Sequence, residues 1–182
     1  MSSWPVPSWL TDPLTFICGA RLQASNRWPV TIGCMKNIFE ALRVSHETQR
    51  ALCAQMLATS PEGPERRRIF TDLKRELAAH ATAEERCLYV PLFEHDSTVD
   101  ASRHAIAEHH EMDELVEDLQ AKETNDSSWL AVARKLSEKV NHHLQEEETK
   151  IFQLAGKVLT EPQKLALAKD YEAEFLTQRV KG

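Results

Sequence analysis

The chain of 182 residues carries 22 basic and 28 acidic residues, a formal net charge of −6 at pH 7, and 42% of its residues are hydrophobic. This size and composition indicate one domain with a sizeable core, and the acidic balance argues against nucleic acid or an anionic membrane as a partner. No apolar run approaches the roughly 18 residues of a membrane span, and four cysteines without CxxC spacing favour a reduced, cytoplasmic protein.

Residues 1–34 differ in character from the rest of the chain. They contain four prolines, which exclude a long helix, and three tryptophans without a regular spacing. We interpret residues 1–34 as an irregular N-terminal extension and residues 35–182 as the folded domain. The alternative that Met35 is the natural start, with helical patterning beginning there, is left open.

From residue 35 onwards, hydrophobic positions recur with the spacing of amphipathic helices. The pattern predicts helical segments over Lys36 to Ala58, Glu65 to Val90, residues 97–122, and from the Thr124–Ser128 turn to about Gly156. A short fifth helix is predicted to begin at the Thr160–Pro162 cap. Because the connections are short, these segments predict an all-α fold, an antiparallel up-down four-helix bundle with a short C-terminal helix.

The apolar stripes also predict which residues face inward. In the first two segments these are Ile38, Leu42, His46, Gln49, Cys53 and Met56, and then Ile69, Leu73, Leu77, His80, Glu84 and Leu88. In the later segments they are His109, Met112, Val116 and Leu119, then Val132, Leu136, Val140, His143, Glu147, Ile151 and Leu154, and finally Leu165, Ala168, Tyr171 and Phe175. Each of the first four stripes therefore carries histidine, glutamate or both on its predicted inner face.

The second half of the domain repeats the first at a constant 63-residue offset. Four pairs of identical histidine or glutamate residues share this offset: His46 and His109, His80 and His143, Glu84 and Glu147, and Glu85 and Glu148, of which the first three lie on the inner stripes. We interpret the domain as two copies of one helical hairpin. The spacing between the two histidines is the same in both copies, and it can bring them level on two antiparallel helices joined by a turn.

The six repeated residues on the inner stripes predict a metal site in the bundle core. Within each copy, the second histidine and the glutamate are i,i+4 neighbours and project from one helix face. Two buried carboxylates among neutral imidazoles are costly unless cations lie between them. Imidazole and carboxylate suit iron, manganese or zinc, and a carboxylate can bridge two metals about 3.5–4 Å apart. A single inward histidine would more simply be a core residue bonded to a backbone carbonyl.

Other polar residues are weaker candidates. His110 and His142 lie one residue from the inner stripes and are interpreted as surface or outer-layer groups. Asp113, four residues after His109, is left open as an additional carboxylate ligand. The remaining histidines and the neighbouring glutamates are predicted to be exposed: His95, His104, Glu85, Glu111, Glu146 and Glu148.

The ordered set of motifs resembles the hemerythrin-like family, also called the HHE cation-binding domain. The matching stretches are SHETQRAL, HATAEERCLYVPL, EHHEMDELVEDL and HLQEEETKIFQLA, within about Met35 to Lys157. The resemblance implies a non-haem centre of two iron ions bridged by Glu84 and Glu147, with zinc or manganese as alternative metals. Oxygen carriers of the family have His-x3-His on the third helix, whereas His109 here has Ala105 and Asp113 at those distances.

This departure favours a role other than reversible oxygen carriage. The resemblance implies a protein that binds O2 or a related small ligand, such as NO or peroxide, in sensing or stress protection. A di-iron oxidase or peroxide-consuming enzyme is one alternative. An iron-responsive interaction module with a protein partner is another, and a homo-oligomer is left open.

Overall fold

The computed structural model describes residues 37–61 and 63–181, and these residues are helical without any strand. Their α-helices are α1 (Ile38–Ala58), α2 (Pro64–Glu84), α3 (Val90–Leu92), α4 (Asp96–Gln120), α5 (Ser127–Glu146), α6 (Phe152–Val158) and α7 (Glu161–Lys181). Two π-helical turns continue the helices that carry the candidate ligands. They are π1 (Glu85–Tyr89), between α2 and α3, and π2 (Glu147–Ile151), between α5 and α6. The predicted extension over residues 1–34 lies outside the described residues.

Local sequence explains where the long helices begin. The Asn37 side chain accepts a hydrogen bond from the backbone N–H of Glu40 at 3.1 Å and caps α1. Pro64 occupies the first turn of α2, where its fixed φ suits a helix and no N–H is needed. Asp126 caps α5 by accepting from the N–H of Ser128 at 2.7 Å. None of the helices in the described ranges is long and apolar enough to cross a membrane.

Helix α7 corrects one prediction. We expected a short C-terminal helix, but α7 has 21 residues, as many as α1 or α2. It has this length because no proline or glycine follows Pro162 until the last residue. It packs against α1 and α2, which places Ala168 and Tyr171 in the core, whereas Leu165 is 46% exposed.

The core consists of two apolar clusters with a polar layer between them. One cluster includes Leu73 and Leu119, and the other includes Leu42. On α1, His46 lies between Leu42 of the second cluster and Leu52 of the first. Helix α1 packs against α2 and α5, and α4 packs against α5, so the polar layer is surrounded by helices.

The inner faces follow the predicted stripes until the end of π2. All predicted inner residues from Ile38 to Ile151 are buried. Beyond that point Leu154 is only half-buried, and Phe152 and Ala155 are buried instead. A π turn inserts one extra residue into the helix, so the inner face moves on by one position.

Candidate metal centre

The structure brings the six predicted metal-site residues together in the polar layer. All are buried, with 0–3% of their surface exposed. They form two groups whose nitrogen and carboxylate oxygen atoms lie within 4.8 Å of one another. The His80 group consists of His46, His80, Glu84 and Glu147, and the His143 group consists of Glu84, His109 and His143. Glu84 belongs to both groups.

Several inward atoms of the centre lack a hydrogen-bond partner among the described residues. They are Nε2 of His46, Nε2 of His80, both carboxylate oxygens of Glu84, and Oε2 of Glu147. They make ionic contacts with one another: His46 Nε2 lies 3.1 Å from Glu147 Oε2, and Glu84 Oε2 lies 3.4 Å from Nε2 of His80. A buried polar atom without a hydrogen bond costs about 1–3 kcal/mol, so such atoms are rare in folded proteins. Imidazole nitrogens and carboxylate oxygens are donors for iron, manganese and zinc. The residues present therefore fit a bound metal.

The two histidines of the His143 group face each other through their Nε2 atoms. Nε2 of His109 and Nε2 of His143 are 3.1 Å apart, and a proton on one of them makes this contact a hydrogen bond. The Nδ1 atom of each ring faces a carboxylate. Both Nε2 atoms therefore point at one place, where a bound cation would replace that proton.

An outer layer of hydrogen bonds orients all four histidines. Each Nδ1 has one partner: Glu148 Oε1 at 2.7 Å for His46, Tyr171 Oη at 2.9 Å for His80, Glu85 Oε1 at 2.9 Å for His109, and Glu108 Oε2 at 3.0 Å for His143. With a metal bound, such bonds would keep the proton on Nδ1 and leave Nε2 unprotonated. Every histidine therefore presents Nε2 to the interior of the centre.

Two of these partners correct a prediction. Glu85 and Glu148 were expected to be solvated, but both are half-buried and accept hydrogen bonds from histidines. Each one directly follows an inward glutamate, at or within the π turn. Glu85 and Glu148 are themselves 63 residues apart, and this repeat is a sequence signal that could have identified them as residues of the centre.

Three further residues of the centre were not predicted as site residues. Glu108 is 2% exposed and receives a hydrogen bond from Lys139 at 2.9 Å, in addition to its bond with His143. The Tyr89 hydroxyl donates to Glu147 Oε1 at 3.0 Å, and burial together with Glu147 holds the pKa of Tyr89 well above its usual value. Tyr171 was predicted only as a core residue of the last helix, and no sequence signal placed it beside a histidine.

The weaker candidates lie outside the centre. His104, His110 and His142 are 57%, 77% and 64% exposed, as expected. His95 was expected to be exposed but is half-buried, because it is the N-terminal cap of α4. Asp113 is exposed and belongs to neither group of potential ligands.

Charges in the metal-free centre are balanced by protons on two of the histidines. Burial lowers the pKa of His46, but contacts with Glu147 and Glu148 outweigh it and raise this pKa to about 9. Burial of His109 is likewise outweighed by two neighbouring carboxylates, and its pKa also rises to about 9. Burial and the nearby positive charge of His46 lower the pKa of His80 well below its usual value.

The pKa values of the two inner carboxylates shift in opposite directions. Burial and the adjacent Glu84 raise the pKa of Glu147. Burial opposes ionisation of Glu84 as well, but contacts with Glu147 and His109 outweigh it and lower the pKa of Glu84 to about 2. Protons therefore compensate the buried negative charge in the metal-free protein, and bound cations would displace them.

Comparison with known proteins agrees with this geometry. The family model of the hemerythrin HHE cation binding domain matches residues 37–155. The chain belongs to the hemerythrin HHE cation-binding family. Its fold is similar to the crystal structure of a hemerythrin HHE cation binding domain-containing protein from Mycobacterium kansasii, with a TM-score of 0.72, 20% identity, and coverage of 81% of this chain and 90% of that chain. A comparison with curated proteins found no match.

Membership of the hemerythrin family indicates that the His/Glu clusters bind metal. Domains of this family bind metal, and all six clustered residues lie within the matched range. The match ends at residue 155, so α7 and its Tyr171 lie beyond it.

Proposed function

We propose that this hemerythrin-family protein binds two iron ions in the centre and uses them to bind O2 or a related small ligand, NO or peroxide, in sensing or stress protection. The hairpins α1–α2 and α4–α5 are proposed to form the antiparallel four-helix bundle that holds the metals. The observation that carries the proposal is the set of buried nitrogen and oxygen atoms that face one another in the polar layer without a hydrogen bond. Zinc or manganese in the same positions is the alternative for the metal.

Glu84 is the residue best placed to bridge the two metals. It belongs to both groups of potential ligands, and its Oε2 lies 3.4 Å from Nε2 of His80 and 3.4 Å from Nε2 of His109. Glu147 belongs to the His80 group, and its Oε1 accepts the hydrogen bond from Tyr89. Glu147 Oε2 and the two oxygens of Glu84 would hold the metals.

The uneven groups support binding of a small external ligand. The His143 group offers three residues and the His80 group offers four. Metal sites with three protein ligands typically keep a position for water or substrate. Of the two positions four residues from His109, where an oxygen carrier would have another histidine, Ala105 is buried without a donor atom and Asp113 is exposed.

Metal analysis is the first test. Protein purified without added metal should contain about two iron ions per chain. The Glu84→Ala variant should lose most of this iron, because it removes a ligand from both positions. Glu138→Ala is the matched control, since Glu138 is an exposed carboxylate on α5 outside the centre. Iron well below two per chain in the wild type, or equal iron in all three proteins, would contradict the proposal.

Ligand binding is tested on the reduced protein. Anaerobic protein loaded with Fe²⁺ should develop charge-transfer absorption in the near-ultraviolet or visible range when O2 or NO is added. The His110→Ala variant, which changes an exposed histidine, should behave as the wild type does. An unchanged spectrum with two bound iron ions would refute the ligand-binding part and leave the metal assignment in place.

A peroxide-consuming or iron-oxidising enzyme is the second candidate. Two phenol hydroxyls touch the centre, Tyr89 at Glu147 and Tyr171 at His80, and each could supply a proton near a bound ligand. Peroxide decay by iron-loaded protein should then exceed that of equal free iron and fall in Tyr89→Phe at unchanged iron content. Decay no faster than that of free iron would exclude this candidate.

The proposed compartment is the cytoplasm. Cys53 and Cys87 are both unpaired thiols, which is the usual state in a reducing compartment. Fractionation of cells that express the full chain tests this placement.

A further inference from the structure

The outer hydrogen-bond layer obeys the 63-residue relation for one pair of histidines. His46 is bound by Glu148 and His109 by Glu85. Glu148 and Glu85 are themselves related by the 63-residue offset, so each histidine is held by the glutamate of the opposite hairpin. These two arrangements are equivalent.

The relation fails for the other pair. His143 is bound by Glu108, and the residue that the offset pairs with Glu108 is Ser45, whose side chain has no carboxylate. Nδ1 of His80 is bound instead by the Tyr171 hydroxyl from α7, at 2.9 Å. Three of the four histidines therefore have a carboxylate partner, and His80 has a phenol.

Tyr171 lies beside a group of hydrogen bonds that connect α7 to α1 and α2. Its hydroxyl interacts with the Ser45 side chain, which lowers the pKa of Tyr171 against the effect of burial, and Ser45 donates to Glu76 Oε1 at 2.7 Å. Glu76, which is 2% exposed, also accepts a hydrogen bond from Arg179 of α7. The Tyr171 ring is buried and packs edge-on against the His80 ring. The hydroxyl is thus fixed by contacts on both sides.

We propose that Tyr171 is a positioning residue of the metal centre, which makes α7 part of that centre and distinguishes the metal position at His80 from the one at His143. This inference rests on the proposed metal binding. Nδ1–H of His80 donates to the phenol oxygen, and Nε2 is left free for the metal. A carboxylate partner makes a histidine a more basic ligand, and a neutral phenol does so to a smaller extent. The two histidines then differ as ligands.

The expected effect of losing the hydroxyl follows from the burial of His80. In Tyr171→Phe the ring still fills its space, but Nδ1–H has no acceptor. Loss of an outer partner of this kind lowers metal affinity about 10–100-fold. Because His80 is the only one of the four histidines whose Nδ1 is bonded to Tyr171, the loss should appear in one of two metal-binding steps.

The test uses Co²⁺ and the full chain, in competition with a chromophoric chelator. Tyr171→Phe should weaken one step about 10–100-fold, and Glu108→Gln should weaken the other. The visible Co²⁺ spectrum should change in the Tyr171 variant, which a purely structural role of the hydroxyl would not produce. Thr177→Val is the control, since it removes an exposed α7 hydroxyl that bonds only to its own helix. The inference is overturned if Tyr171→Phe resembles this control or weakens both steps equally.

A measurement on the wild type covers the case in which Tyr171→Phe does not fold. In the Zn²⁺-loaded protein, nuclear magnetic resonance should show a protected His80 ring N–H with a nuclear Overhauser effect to the Tyr171 ring. Its absence refutes the inference alone. A wild type that takes up no Co²⁺ or Zn²⁺ refutes the proposed metal binding and this inference with it.

Discussion

Single-ligand variants should separate the two proposed metal positions, because the two groups of potential ligands share only one residue. Glu84 belongs to both groups, whereas His143 belongs to one of them. Glu84→Ala leaves three ligands in the His80 group and two in the His143 group. His143→Ala leaves the His80 group complete. The first variant should therefore weaken both binding steps, and the second should weaken one.

The size of the effect follows from the number of ligands. Binding of zinc to a four-ligand structural site has an apparent free energy of about 10–16 kcal/mol, which is about 3 kcal/mol per ligand. Since about 1.4 kcal/mol corresponds to a tenfold change, removal of one ligand should weaken binding about 100-fold. Glu84→Ala should thus lower both affinities by about this factor, and His143→Ala only one.

The assay is a Zn²⁺ titration of metal-free protein against a chromophoric chelator that resolves two steps. His110→Ala provides the matched control for loss of an imidazole, because His110 is 77% exposed. If His143→Ala weakened both steps equally, or if Glu84→Ala weakened only one, the assignment of Glu84 as the shared ligand would be wrong.

Removal of metal by a chelator should lower the thermal unfolding midpoint by about 5–10 °C per site. A ligand at a hundredfold excess over its Kd adds about 2.7 kcal/mol of stability, and each kcal/mol raises the midpoint of a protein of this length by about 2–4 °C. The same decrease in the Glu84→Ala variant would contradict this prediction. Arg66 is 2% exposed and donates to Oγ1 and the carbonyl of Thr59 and to the carbonyl of Thr124. Arg66→Met leaves these acceptors unpaired and should lower the free energy of unfolding in urea by about 3 kcal/mol, with or without metal, and a change below about 1 kcal/mol would refute the reasoning. Burial raises the pKa of the Cys53 thiol from 9.0 to about 12, so above pH 9 only the unfolded chain loses this proton. Stability should therefore fall by about 1.4 kcal/mol per pH unit between pH 9 and 12, and Cys53→Ala should lack this part of the slope in pH-dependent urea unfolding.

The inner layer of the centre could be predicted because two independent patterns agree there. The 3.6-residue spacing of apolar residues places His80 and Glu84 on the inner face of their helix, and the 63-residue offset gives the same result for His143 and Glu147. Both patterns are properties of the sequence itself. The burial of all six residues follows from them.

The outer layer could not be predicted by the same reasoning. Glu85 and Glu148 lie off the stripe of a regular α-helix, and they reach the histidines where the helix has become a π turn. Tyr171 depends on the packing of α7 against α1 and α2, which no repeat encodes. Glu108 has no equivalent in the first copy, so the offset gave no reason to select it.

The two π turns have a consequence for comparing this protein with distant relatives. The extra residue of a π turn is an insertion within a continuous helix. Sequence alignments place gaps preferentially in loops, so they can miss an insertion at this position. Because Glu146, Glu147 and Glu148 are consecutive, an alignment displaced by one position still matches glutamate with glutamate. A glutamate aligned at this position therefore need not be the one that faces the centre of the bundle. The register of the π turn decides which of the three glutamates does so.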